Sequence, residues 1–180
     1  MSLKTPKDTA IEISELMLPS YSNFSGKIHG GYILNLMDQI AFACASKYSG
    51  KYCVTASVNT VDFLNPIEVG ELVTLKAMVN YVGNTSMVVG IRVESENIQT
   101  GIVKHCNSSY FLMVAKDENG HTAKVPPIKL ESKEDVRRFL RAAHRLDAKR
   151  KRKIEFSKDE KLPENYKVAL EHFNCVVEEK

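Results

Sequence analysis

One acid stands inside an otherwise apolar run of this chain. Residues 22–48, SNFSGKIHGGYILNLMDQIAFACASKY, pass through Gly30 and Gly31 and then set Ile33, Leu34, Leu36, Met37, Ile40, Ala41, Phe42, Ala43, Cys44 and Ala45 on nearly every side of a helix. Asp38 is the one carboxylate among them. Desolvation penalises the charged form of a carboxylate, so an acid in apolar surroundings is a stronger base than one in water. The start of the same helix supplies a complementary feature. Amides at Gly30 and Gly31, with the positive end of the helix dipole behind them, can stabilise an oxygen that becomes negative. A base or nucleophile plus an anion-stabilising amide is the minimum equipment for attack on a carbonyl.

The elements that must position these groups follow from periodicity. A run apolar all round predicts a buried helix, and the polar Asn35, Asp38 and Gln39 in its middle exclude a membrane span. The helix is expected to end near Tyr48, where Ser49 and Gly50 supply a stop signal. Before it, residues 1–10 are polar and expected to be flexible, and residues 11–18 form a short edge strand ended by Pro19. From Tyr52 the period changes to two. Strands are predicted over 53–64, ended by Asn65 and Pro66, over 71–82, over a hairpin partner carrying Met87, Val89, Ile91 and Val93, and over 102–115. Residues 132–153 read as a further helix, with Ser132 and Asp135 spaced as a capping box and Val136, Phe139, Leu140, Ala143 and Leu146 in one stripe. A short helix is expected near 166–173. A helix followed by antiparallel strands is an α+β pattern, a curved sheet wrapped around a long central helix.

Composition narrows the class. With 180 residues, 43% hydrophobic and 26% charged, the chain is long enough for one buried core and short for two. The division expected is a flexible 1–10, a domain over 11–128 and a charged helical extension over 129–180. The basic run Lys149, Arg150, Lys151, Arg152 and Lys153 exceeds the whole net charge of +3, so the remainder is slightly acidic. No aromatic residue interleaves that run, which argues against nucleic acid; a solvated helix C-terminus is the expectation, with a contact to the phosphates of a ligand as the alternative. Four cysteines lack a CxxC pair or ligand spacing with the histidines, so neither a metal site nor a disulfide framework is expected. No secretory signal is expected, because residues 1–18 lack a cationic start followed by a long apolar run. A reducing cytoplasm is the expected compartment.

The motifs together resemble the hot-dog acyl-CoA thioesterases, of the bacterial short- and medium-chain acyl-CoA hydrolase type related to the cytosolic acyl-CoA hydrolases of animals. The stretch MLPSYSNFSGKIHGGYILNLMD is similar to that family's Pro, Asn, Gly, HGG and helix-borne Asp, and VNTVDFLNPIEVGELV to its Phe, Pro and Val-Gly segment. GNTS and YFLMVAKDENGHTAKVPPI continue the likeness, which covers roughly residues 12–150. The resemblance implies a hot-dog fold with an added C-terminal helix, and hydrolysis of acyl-CoA to a carboxylic acid and coenzyme A without metal or prosthetic group. It assigns Asp38 as the catalytic carboxylate, activating water or forming a covalent acyl intermediate, and Asn23 as its polar partner. Gly30 or Gly31 would supply the backbone amide, Gly31 being placed in the catalytic set and Gly30 among the substrate contacts with Thr85 and Ser86. The alternative is a regulatory hot-dog protein that binds acyl-CoA without hydrolysing it.

Spacing adds a constraint. Gly31 and Asp38 share a helix face but lie about 10.5 Å apart along it, too far to act on one carbonyl. Two such helices running antiparallel in a homodimer would bring Asn23 and Gly31 of one subunit to Asp38 of the other. The expected assembly is a dimer with shared sites, extended by the family resemblance to a hexameric trimer of dimers.

Overall fold

The computed structural model describes residues 3–156, 168, 170 and 173–177. Its elements are β1 (Ile11–Leu16), α1 (Gly30–Ser49), β2 (Tyr52–Val58), β3 (Leu72–Val82), β4 (Ser86–Asn97), β5 (Ile102–Lys116) and α2 (Lys133–Phe156). The five strands make one antiparallel, curled sheet in the order β1-β3-β4-β5-β2. This is the hot-dog α+β architecture expected from the sequence. The short helix expected near 166–173 lies outside the described residues but for three positions. The described residues divide into two compact units after residue 142. In the second, α2 continues with Lys149, Arg150, Lys151, Arg152 and Lys153 all exposed.

Alternation along the strands builds the core. Val73, Leu75, Ala77 and Val79 of β3, Met87, Val89, Ile91 and Val93 of β4, and Phe111, Met113 and Ala115 of β5 are buried in one cluster with Ile33, Leu36, Met37, Ile40, Ala41, Cys44, Ala45 and Tyr48 of α1. Those helix positions recur at three and four residues, so they form one stripe. The opposite side of α1, with Leu34, Asn35, Asp38, Gln39 and Phe42, is exposed in the subunit. This corrects the expectation of a helix buried all round: a single sheet layer covers one face. On the other side of the sheet the first turns of α2 are held by Phe139 against Tyr81, with ring centroids 4.8 Å apart, and Ala142 is fully buried. Ser132 and Asp135 exchange hydrogen bonds of 3.0 Å as a capping box. Gly50 ends α1 in the left-handed region at φ 65°, a conformation that costs a side-chain-bearing residue more.

Two expectations are revised. The N-terminal residues 3–10 are tied down: the Val79 amide donates to Thr9 Oγ1 at 2.9 Å, the Cys44 thiol to Thr9 O, and Lys4 Nζ to Lys47 O at 3.1 Å. And β2 stops at Val58 rather than near Leu64, with a bulge at Ala56 in its pairing with β5.

Glu71 fixes the turn that abuts the start of α1. Only 5% exposed, it is paired with Lys104 at 2.8 Å and accepts hydrogen bonds from Ser95 Oγ and from the Glu68 amide. Next to that turn, Ile67 O receives the Ile28 amide at 2.9 Å. Burial alone pushes the Glu71 carboxyl up, but the Glu68 amide, Lys104 and Ser95 together outweigh it and hold the group below the ordinary glutamate value of 4.5. A carboxyl that titrates lower in the folded chain than in the unfolded one stabilises fully above 4.5 and loses that contribution as pH falls through its folded value. Glu71→Gln should therefore lower stability by about 1–3 kcal/mol at neutral pH. Denaturant midpoints of the two proteins should converge as the pH is lowered past 4.5; a gap independent of pH would refute the carboxylate's role.

Candidate active site

Asp38 projects from the open side of α1, where Thr55 of β2 meets it: Thr55 Oγ1 donates to Asp38 Oδ1 at 2.6 Å. Thr55 lies beside the β2 bulge, opposite Met113, whose sulfur is 3.5 Å from its hydroxyl. One carboxylate oxygen is thus held while Oδ2 has no hydrogen bond among the described residues. Asp38, Gln39, Phe42, Tyr52, Cys53, Val54 and Thr55 line an open concavity. Asp38 is exposed in the subunit, not buried among apolar groups as expected from the sequence. Thr55 was not foreseen; nothing in a threonine within an alternating strand marks it out.

The start of α1 is built by His29 and two glycines. His29 is the N-cap, with φ −65° and ψ 127°, and its Nδ1 accepts the Gly31 amide at 3.1 Å. Gly31, expected as the amide donor of the site, is therefore engaged by its own cap, and a side chain there would begin 3.2 Å from that ring nitrogen. Gly30, expected as a substrate contact, has an amide with no hydrogen bond among the described residues. The Phe63 ring lies over it, 3.0 Å from where a Cβ would stand. Asn23, exposed in the preceding loop, accepts through Oδ1 from the amides of Ser25 (2.9 Å) and Lys27 (3.2 Å) and from Ser25 Oγ (2.7 Å). It shapes the turn with its oxygen and keeps its Nδ2 donors unused within the described residues.

Within one subunit these groups do not converge. Gly30 and Asp38 are about 12 Å apart along α1. Thr85 and Ser86 sit in the β3–β4 turn, where the Ala115 amide donates to Thr85 O at 3.0 Å and the Val125 amide to Asn84 O. That turn is at the other end of α1, since the hydroxyl of Tyr48 donates to Pro126 O at 2.8 Å. No cluster of three or more His, Cys, Asp or Glu suited to a metal occurs among the described residues. No helix among them is long and apolar enough to cross a membrane.

A model of the Thioesterase superfamily matches residues 25–102. Protein VdlD of Helicobacter pylori is 40% identical over 159 residues, 88% of this chain and 91% of that protein. The uncharacterized acyl-CoA thioester hydrolase YkhA of Bacillus subtilis is 31% identical, covering 82% of this chain and 86% of its own length. Among solved structures, an acyl-CoA hydrolase from Staphylococcus aureus in complex with butyryl coenzyme A and coenzyme A superposes with a TM-score of 0.79 at 28% identity, covering 88% of this chain and 96% of that one. Variants of that hydrolase with an asparagine, an aspartate or a threonine replaced by alanine have also been solved; the aspartate follows the asparagine by 15 residues and the threonine follows the aspartate by 17. An apo-hexameric acyl-CoA thioesterase superposes at 0.79 with 34% identity over 82% of this chain and 95% of that one.

The cap on α1 is open to a direct test. His29→Ala should lower the denaturant midpoint by the equivalent of about 1 kcal/mol, and His29→Asn should retain most of that stability because asparagine caps well. Equal stability of all three proteins would refute the capping role.

Proposed function

The chain belongs to the hot-dog thioesterase superfamily of acyl-CoA thioester hydrolases, and from that membership we propose how its own residues carry out the reaction. It hydrolyses acyl-CoA to a carboxylic acid and coenzyme A. The observation that carries the assignment of residues is Asp38, held by Thr55 through one oxygen and free at the other. Asn23, Asp38 and Thr55 are separated by 15 and 17 residues, the spacing of the three residues replaced in the S. aureus hydrolase.

In the proposed mechanism Asp38 Oδ2 takes a proton from water as the water attacks the thioester carbon, or attacks that carbon itself to give an anhydride that water then opens. Thr55 fixes the carboxylate's orientation. The carbonyl oxygen, as it becomes negative, accepts from the Gly30 amide and from Asn23 Nδ2, both aided by the positive end of the α1 dipole. The thiolate of coenzyme A leaves when the tetrahedral species collapses. These groups suffice without metal or prosthetic group.

Two subunits would complete each site. The distance between Gly30 and Asp38 along one helix forbids joint action on a single carbonyl, and the uncovered side of α1 adjoins β2, an edge strand of the sheet. Pairing of two copies there, helices antiparallel, brings Asn23 and Gly30 of one to Asp38 of the other. It also brings the Thr85–Ser86 turn of one copy toward the other's helix start, where it would contact the nucleotide portion of coenzyme A. Three such dimers would form a hexamer, the oligomer size of the hexameric relative. A cytoplasmic enzyme of lipid metabolism, with Cys44, Cys53 and Cys106 buried and unpaired, completes the reading.

Thiol release from acyl-CoAs of graded chain length tests the activity. Asp38→Ala should lower kcat at least about a hundredfold with the fold intact, and Thr55→Val, isosteric but without the hydroxyl, about tenfold. A folded Asp38→Ala protein with near-native turnover would remove Asp38 from the mechanism.

Complementation tests the shared site. Asn23→Ala and Asp38→Ala proteins, each inactive, should recover activity on subunit exchange, because one of the two sites in every mixed dimer then holds an intact Asn23 facing an intact Asp38. Up to about half of native activity per mixed dimer is expected, since sites act independently when they share no residues. Proven exchange with no recovery would place both residues in one subunit's site.

A further inference from the structure

Both donors assigned to the thioester oxygen, Asn23 Nδ2 and the Gly30 amide, come from one short stretch of chain, and a pair of rings closes it. Tyr21 stands two residues before Asn23 and Tyr32 two residues after Gly30. Their rings stack with centroids 3.9 Å apart and planes inclined by 15°. Both are half-buried and packed against the core. Backbone bonds close the same loop: the His29 amide donates to Tyr21 O at 2.8 Å, and Ser22 bridges Ile28 in an antiparallel pair.

The hydrogen bonds of Asn23 do not by themselves fix its place relative to α1. Among the described residues they all stay inside the turn: the Asn23 amide donates to Lys27 O at 2.7 Å, Asn23 O accepts from the Gly26 amide at 3.0 Å, and Oδ1 accepts from Ser25 and Lys27. They orient the carboxamide within the turn, and the two limbs of the turn place it as a body. The returning limb is tied to the segment before β3 by the Ile28 amide, which donates to Ile67 O at 2.9 Å, and by the Lys27–Glu68 ion pair. The outgoing limb, which leads into Asn23, carries the Tyr21 ring onto Tyr32 of α1. Tyr32 is itself held from the sheet, since its hydroxyl donates to Glu15 Oε1 of β1, opposite Val73 of β3. A ring anchored at its hydroxyl presents a fixed face, and stacking of aromatic rings has a preferred geometry.

We propose that Tyr21 is a positioning residue: its stack on Tyr32, fixed in turn by Glu15, holds Asn23 in the relation to the Gly30 amide at which both donors meet one oxyanion. This rests on acyl-CoA hydrolysis with Asn23 and Gly30 as the donors. Neither tyrosine touches the reacting atoms. Donors aimed in advance stabilise developing charge because nothing has to reorganise at the moment of reaction, and a misplacement of about 1 Å can cost about a hundredfold in rate. The oxyanion exists only after attack, so loosening the outgoing limb lowers kcat rather than raising KM.

The test is a double-mutant cycle between Tyr21 and Asn23, read as thiol release from an acyl-CoA that the native enzyme hydrolyses. Tyr21→Ala should lower kcat by about tenfold or more with KM changed by less than about twofold, and Tyr21→Phe, which keeps the ring, should hold kcat within about twofold of native. Combined with Asn23→Ala, whose residual turnover is read at high enzyme concentration, Tyr21→Ala should cost nothing further, because it acts through Asn23. A tyrosine with a structural role alone would lower the denaturant midpoint and leave kcat of the folded enzyme unchanged, or would lower kcat equally with and without Asn23; either result overturns the proposal. Should Tyr21→Ala not fold, Tyr21→Leu, apolar but without the planar face, takes its place under the same criteria. Native turnover by Asn23→Ala would overturn the donor assignment and the clasp with it, whereas no thiol release from any acyl-CoA would overturn the assignment of activity.

Discussion

A helix with two apolar sides and a sheet able to cover one of them set the terms for this protein. Buried α1 residues such as Ile33, Met37, Ile40 and Cys44 meet the concave face of five strands. Leu34 and Phe42, on the far side, remain 36% and 40% exposed. Removing such surface from water is favourable in proportion to its area, so the subunit alone leaves a driving force unspent. The same uncovered side carries Asp38, and the strand beside it, β2, presents an unpaired edge. In the proposed dimer, association and chemistry would draw on one surface: the covering that buries Leu34 and Phe42 would also exclude water from Asp38.

Much of this was legible in the chain. The change from helical to alternating period at Tyr52 separated α1 from the strands, and the glycine and capping signals at Gly50 and Ser132 located the end of α1 and the start of α2. Asp38 stood out because an acid is conspicuous among Ile, Leu, Met and Ala. The extent of its burial was not legible, because apolar side chains on two faces of a helix look alike whether covered by a sheet or by a second molecule. Thr55 escaped for a different reason: its bond to Asp38 joins β2 to α1 across 17 residues of sequence, and a contact made only by the fold leaves no mark on composition. The strand expected over 53–64 was drawn too long because alternation through Val61 and Phe63 persists beyond the last ladder pair with β5, Val58 with Phe111.

The start of α1 shows how a finer assignment emerges from complete hydrogen-bond accounting. A helix begins with four amides that have no partner in its own ladder. Here the His29 amide donates to Tyr21 O at 2.8 Å, the Gly31 amide to the His29 ring, and the Tyr32 amide to His29 O at 2.9 Å in a tight first turn. Among the described residues Gly30 alone is left over. The paired glycines are equivalent in sequence, and only the cap separates them: His29 folds its ring back over one and by doing so isolates the other. The two also need glycine for different reasons, Gly31 to admit the histidine ring and Gly30 to lie beneath Phe63. A cap that satisfied every amide would give a more stable helix and no donor for an oxyanion. One that satisfied fewer would leave the first turn frayed and the donor unfixed. Capping by His29 lies between these limits, rigid at Gly31 and open at Gly30, and it makes the single unpaired amide a property of the fold rather than of a ligand's arrival.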